Sequence, residues 1–164
     1  MAIVIQNLRF NFSARILAGL VACLVPLLVF RAHACPLQLS SINLSINGVQ
    51  LNLEIAATPE ARQCGLSGRK ALPPDAGMLF VLPRTMPFAV WMKGTRLPLD
   101  IAFIDETGRI VAIKQMDPQH NDRIYTAPQP VRYAIEVNRG WFDQRHIRAG
   151  QNLEISVPHG IQVR

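Results

Sequence analysis

Two short stretches alternate apolar and polar positions around a turn. Ile42, Leu44 and Ile46 stand every second residue, Asn47-Gly48 follows, and Val49, Leu51, Leu53 and Ile55 resume the alternation. A period of two places successive side chains on opposite faces of a strand, and Asn-Gly is favoured in two-residue hairpin turns, so a β-hairpin is predicted here. Thr58-Pro59 then supplies an N-cap and a proline at a first helical position, and Gly65 ends a helix of one or two turns. After the turn residues Pro73-Pro74-Asp75-Ala76-Gly77, the run Met78-Leu79-Phe80-Val81-Leu82 has strand length and no polar face. Phe88–Met92 and Leu99–Ile104 read as further strands, the second joined through Asp105-Glu106-Thr107-Gly108 to Arg109–Ile113 as another hairpin.

The segment from Met116 to Pro130 is polar and carries Pro118, Pro128 and Pro130, and is predicted as a long surface loop. Beyond it, Tyr133, Ile135 and Val137 share one face of a strand and Ala134 and Glu136 the other. Trp141–His146 reads as a helical turn, and Leu153–Val157 as the apolar segment that closes the chain. Short strands with frequent turns predict a mainly β protein, a single compact sandwich or barrel-like domain of jelly-roll type with one or two short helices.

The 164 residues are 49% apolar, enough for one core and too apolar for a disordered chain. The net charge of +6 suggests a nucleic-acid binder until its distribution is read. Residues 1–34 hold Arg9, Arg15, Arg31 and no acid, leaving 14 basic against 11 acidic side chains in the remainder. No basic stripe with interleaved aromatics is present, so nucleic acid is not expected as a partner.

The same 34 residues place the apolar run Ile16–Phe30 after two arginines and before Ala32-His33-Ala34, the order of a secretory signal cleaved after Ala34. The run is interrupted by Pro26 and is short of the ~20 residues that span a bilayer, although a retained anchor, or lipidation at Cys35, are alternatives. An exported protein of the periplasm or cell exterior is predicted, with residues 35–164 as its mature domain. In an oxidising compartment Cys35 and Cys64 form an even pair for a disulfide, the alternative being two unpaired thiols.

Familiar catalytic signatures are missing: G-x-S-x-G, G-x-x-x-x-G-K-[ST], H-E-x-x-H and paired C-x-x-C. A Cys–His nucleophile would need Cys35 or Cys64 beside His120, His146 or His159. The densest chemistry lies between Phe88 and Asp100, where Trp91, Met92, Lys93, Thr95, Arg96 and Asp100 crowd together. With Leu99, Ile101 and Phe103 facing the core, Asp100 would point the other way, toward Lys93 or Arg96. Glu136, in an apolar strand, would need a partner such as an arginine if buried. Asp100 and Glu136 together would make a glycosidase-like acid/base pair if their carboxyls lay ~5 to 9 Å apart. Met78, Met86, Met92, Met116 and His120 offer a soft ligand set for Cu(I). No organic cofactor is expected.

Several motifs follow one another along the chain: Thr58-Pro59-Glu60-Ala61-Arg62, Gly65-Leu66 with Arg69, Gly77-Met78-Leu79-Phe80, Trp91-Met92-Lys93 with Thr95, Pro98-Leu99-Asp100 with Phe103, Tyr125, and Glu136 with Gly140. This series resembles the DUF192 (UPF0127) family over about residues 50 to 157. The resemblance implies a compact β-rich domain, common among exported or envelope proteins, and implies no particular reaction. The chain departs from the family pattern in Ser67-Gly68, where a hydrophobic pair is usual, and in Gly94, where asparagine is usual. Arg69, Trp91, Lys93, Thr95, Asp100 and Glu136 are the candidates for a shared ligand pocket. The functional expectation is a ligand- or partner-binding domain, its partner a small molecule, a saccharide or an envelope protein, with a hydrolase using Asp100 and Glu136 as the alternative.

Overall fold

The computed structural model describes residues 35–164. The predicted signal segment lies outside the described residues. Strands β1 (Ser41–Ile46) and β2 (Val49–Ala56) form the expected antiparallel hairpin, with Ile46 paired to Val49 across Asn47-Gly48. Both turn residues have positive φ, 49° and 79°, which asparagine and glycine tolerate and β-branched residues do not.

Helix α1 (Pro59–Cys64) begins as predicted, the Thr58 side chain accepting from the Ala61 N–H, and carries the chain to β3 (Ala76–Met86). Because of this crossover β3 runs parallel to β2, a pairing that local alternation does not encode. β4 (Ala89–Trp91) leaves the main sheet; β5 (Leu99–Ile104) and β6 (Ile110–Met116) return as the second hairpin. β8 (Val131–Asn138) then inserts between β3 and β5, and helix α2 (Trp141–Gln144) follows. The resulting six-stranded sheet has the order β1-β2-β3-β8-β5-β6.

Met116–Pro130 is more structured than a polar loop. A 3₁₀ turn (Pro118–His120) opens it, capped by Asp117, and β7 (Ile124–Thr126) pairs antiparallel with β4 as a separate two-stranded sheet. The partner strand is more than 30 residues away in sequence, so nothing local announces it. Leu153–Val157 is likewise not a strand, and only Asn152 makes a bridge, to Arg109.

The main sheet is covered on both faces. On one, Leu79, Val81, Ala102, Ile104, Ile135 and Val137 pack with Trp141, Phe142 and Ile147, and with Ile155, Val157, Ile161 and Val163 of the C-terminal segment. On the other, Met78, Phe80, Ile101, Phe103 and Ala134 pack with Ala61, Leu66, Met92 and Tyr125. Double coverage explains why β5 is buried at every position, a pattern expected where both sheet faces are dry. The mainly β architecture with two short helices agrees with the sequence reading. No helix among the described residues is long and apolar enough to cross a membrane.

Candidate functional site

On the second face, the end of α1, the turn after it and the β4–β7 pair surround a cavity of about 400 Å³. Its floor is Phe80 from β3 and Glu136 from β8, residues brought to one face by the Met78↔Glu136 and Phe80↔Ala134 register. Its mouth is formed by Trp91 and Ile124, directly paired across β4 and β7 and 52% and 65% exposed. Phe88 lies between, with its ring centroid 5.8 Å from that of Phe80 and 6.4 Å from that of Phe103. Large apolar side chains left in water beside a concavity are uncommon and point to an occupant.

The end of α1 and the turn after it supply Arg62, Gln63, Cys64, Gly65 and Leu66 to the lining. Gly65 ends α1 at φ 49°, and a Cβ built there would lie 3.4 Å from Phe80 and 3.8 Å from Glu136 Oε2. A side chain at that position would therefore adopt a strained backbone and fill part of the cavity. The Gly68 N–H donates to the Gly94 carbonyl (3.0 Å), and the Thr95 N–H to that of Met92 (2.9 Å). The first bond holds the turn after α1 against the loop carrying Lys93 and Thr95, and the second closes that loop on itself. Cys64, also in the wall, is bonded to Cys35 with Cα atoms 5.5 Å apart. With both described cysteines consumed, the Cys–His nucleophile is excluded.

Glu136 is the chemically exceptional residue. It is 5% exposed, it is the only acid among the described residues lining the cavity, and none of those residues donates a hydrogen bond to its carboxyl or forms an ion pair with it. The arginine partner anticipated for a buried Glu136 is thus missing. Burial in apolar surroundings with no compensating cation pushes its carboxyl up to about 8, so it is largely protonated at neutral pH. A neutral carboxylic acid both donates and accepts a hydrogen bond.

Of the six candidates, Trp91, Lys93, Thr95 and Glu136 come together in this cavity. Lys93 is exposed, with its ammonium 5.6 Å from the Trp91 ring centroid. Asp100 and Arg69 lie elsewhere. Asp100 is paired with Val137 and therefore projects from the opposite face to Glu136, where its Oδ2 accepts from the Gly140 N–H at 2.8 Å, at the start of α2. Burial raises its carboxyl above the ordinary range; the Gly140 bond and Arg139 oppose the rise and Asp143 adds to it. The anticipated partners Lys93 and Arg96 do not pair with it. Because the sheet separates the two carboxyls, no acid/base pair of Asp100 and Glu136 is assembled. Arg69 pairs with Glu54 and donates to the Leu37 carbonyl, fastening the N-terminal segment to β2.

Of the soft ligand set, the methionines lie in the core of the second face, with Met86 packed against its edge, and His120 stands apart from them in exposure. Met78, Met92 and Met116 are fully buried among apolar side chains, whereas His120 is exposed in the 3₁₀ turn. Residues that sequence reasoning left out of the site are Phe80, Phe88, Gly65 and Ile124. Ile124 carried a signal, as an isolated β-branched residue in a polar stretch. The others read as ordinary core and turn residues.

Fold and site together define a small β domain with an open, largely apolar cavity in which Glu136 is the one acid among the described lining residues. The DUF192 family model, described as "Uncharacterized ACR", matches residues 42–155, and the chain belongs to that family. Among solved structures, it is similar to a Sinorhizobium meliloti 1021 protein described as a "putative transcription regulator". Identity is 36%, with 68% of this chain and 88% of that one covered and a TM-score of 0.63. It is also similar to a protein of unknown function from Novosphingobium aromaticivorans DSM 12444, at 25% identity, 73% and 86% coverage and a TM-score of 0.64. No curated protein matches the chain.

Proposed function

We propose that residues 35–164 are an exported, small-molecule-binding module of the cell envelope, whose ligand places an apolar body between Phe80, Phe88 and Trp91 and a polar group at Glu136. The observation that carries this reading is the unpartnered Glu136 carboxyl at the floor of a cavity whose mouth is the exposed Trp91–Ile124 pair. A buried polar group without a partner costs stability, and a ligand that supplies the partner recovers it. The disulfide supports export, since such bonds persist in oxidising compartments. The N-terminal arginines, apolar run and Ala32-His33-Ala34 support the same address.

A thermal-shift screen of the oxidised protein against amines, carboxylates, saccharides and cell-wall fragments tests the reading, because a ligand that binds only the folded state raises Tm. A hit is expected to weaken in Trp91→Ala, a substitution at an exposed position of the cavity mouth. Hits that survive Trp91→Ala and Glu136→Gln unchanged would place the ligand elsewhere and overturn the assignment.

A further inference from the structure

We propose that the cavity is selective for an organic ammonium, an amine whose positive nitrogen meets the Glu136 carboxylate while its apolar body lies against Phe80, Phe88 and Trp91. This rests on the small-molecule reading above and names the chemistry of the ligand.

Three observations converge on a cation. Glu136 is the only acid in the lining, is 5% exposed, and faces the cavity with no partner among the described residues. The walls around it are aromatic, and ring faces attract positive charge through their quadrupole. The protein already uses one of these rings in that way, since the Lys93 ammonium sits 5.6 Å from the Trp91 centroid.

The cations of the lining leave Glu136 free for a ligand. Arg62 has its guanidinium committed to the carbonyls of Ala57, Val81 and Arg164. Lys93 is exposed beside Trp91 at the mouth. Glu54 and Lys114 share the face and the cross-strand row of Glu136, but Glu54 is paired with Arg69 and Lys114 donates to the Thr126 carbonyl. Cys64 is held in its disulfide and does not titrate.

The other ligand classes fit less well. A polyol would set several of its hydroxyls against Phe80, Phe88, Trp91 and Ile124, which offer them no hydrogen-bond partner, and each buried hydroxyl left without one weakens binding. An anion would find no uncommitted cation beside Glu136 among the described lining residues, since Arg62 is held by backbone carbonyls and Lys93 stands by Trp91 at the mouth. An ammonium satisfies the acid, and its arrival displaces the Glu136 proton to solvent with no covalent change.

The test is titration calorimetry of the oxidised protein with benzylamine, benzyl alcohol and benzoate, three probes that share a ring and differ in charge, at pH 6, 7 and 8. Because ionised Glu136 is the binding form and its carboxyl titrates at about 8, benzylamine affinity is expected to rise about fifty-fold from pH 6 to pH 8. Close to one proton should be released per benzylamine at pH 6, read from the dependence of the heat on buffer. Glu136→Gln should remove the pH dependence and at least tenfold of the affinity, while Trp91→Ala weakens binding and keeps the pH dependence. Benzyl alcohol or benzoate binding as tightly as benzylamine would overturn the ammonium assignment, as would a pH-independent benzylamine affinity or no benzylamine binding at 10 mM. Alcohol or benzoate binding that Trp91→Ala abolishes would leave the small-molecule reading standing while this inference falls. If none of the three probes binds and the broader screen is blank, both fall. Should Glu136→Gln not fold, the pH series on the unaltered protein decides alone.

Discussion

At the scale of the residue, two carboxyls on adjacent strands behave differently because the sheet has two faces. Glu136 holds its proton to about 8 in the folded state, against an ordinary value of 4.5. Between those values the folded chain binds a proton that the unfolded chain has lost, so stability must fall as pH rises. The slope is at most about 1.4 kcal/mol per pH unit, and the loss ends above about pH 8, where both states are ionised. Urea unfolding of the unaltered protein and of Glu136→Gln from pH 5 to pH 9 should show that decline in the first and a flatter profile in the second. Parallel profiles would mean that Glu136 is solvated or paired in solution.

Asp100 holds a backbone bond on the other face, through one of its two carboxyl oxygens. Its Oδ2 satisfies the N–H of Gly140, which has a left-handed conformation (φ 83°) at the entry to α2. Asp100→Ala leaves that N–H without a partner and should destabilise by about 1 to 3 kcal/mol. Asp100→Asn keeps an acceptor and should cost less. Neither should change binding in the cavity, and equal loss of binding and stability in both would restore Asp100 to the site. The strand alternation around Leu99 and Ile101 already placed Asp100 on the far face. That alternation could not show that its partner is a backbone N–H 40 residues away.

At the scale of the element, legibility followed the range of the interaction. The Asn47-Gly48 hairpin, the Thr58 cap, the β5–β6 hairpin and the two faces of β8 are written in residues a few positions apart, and all are present. The β2–β3 parallel pair and the β4–β7 sheet join distant segments, and neither carries a local signature. The site suffers from the same limit. Trp91, Lys93 and Thr95 were visible as a dense local cluster, whereas the opposite wall comes from α1 and the floor from β3 and β8. Gly65 is where α1 contributes, and it can be tested separately from the aromatic side. Gly65→Ala places a methyl against Phe80 and Glu136 at φ 49° and should destabilise by about 1 kcal/mol or more while reducing ligand affinity. The readout is Tm together with benzylamine affinity. Unchanged affinity in a folded variant would show that the ligand does not reach this wall.

At the scale of the whole molecule, α1 joins three otherwise distant parts of the chain. Its Cys64 is bonded to Cys35, its Arg62 bonds the carbonyls of Ala57, Val81 and Arg164, and the turn beyond it bonds the loop of Lys93. The helix has only six residues and cannot hold itself together, since isolated helices of that length are unstable in water. Its position, and with it one wall of the cavity, depends on these ties. The disulfide closes a loop of 29 residues in sequence, a constraint on the unfolded chain worth on the order of 3 kcal/mol. Reduction should therefore lower Tm by roughly 10 °C and, because Cys64 lines the cavity, weaken ligand binding in the fraction that remains folded. Cys35→Ser with Cys64→Ser should reproduce both effects without reductant. If the double variant loses Tm yet binds as before, α1 is positioned by Arg62 and the Gly68–Gly94 bond, and the disulfide serves stability alone. If neither Tm nor binding changes, the bond is not formed in the purified protein, and the support it lends to export is withdrawn.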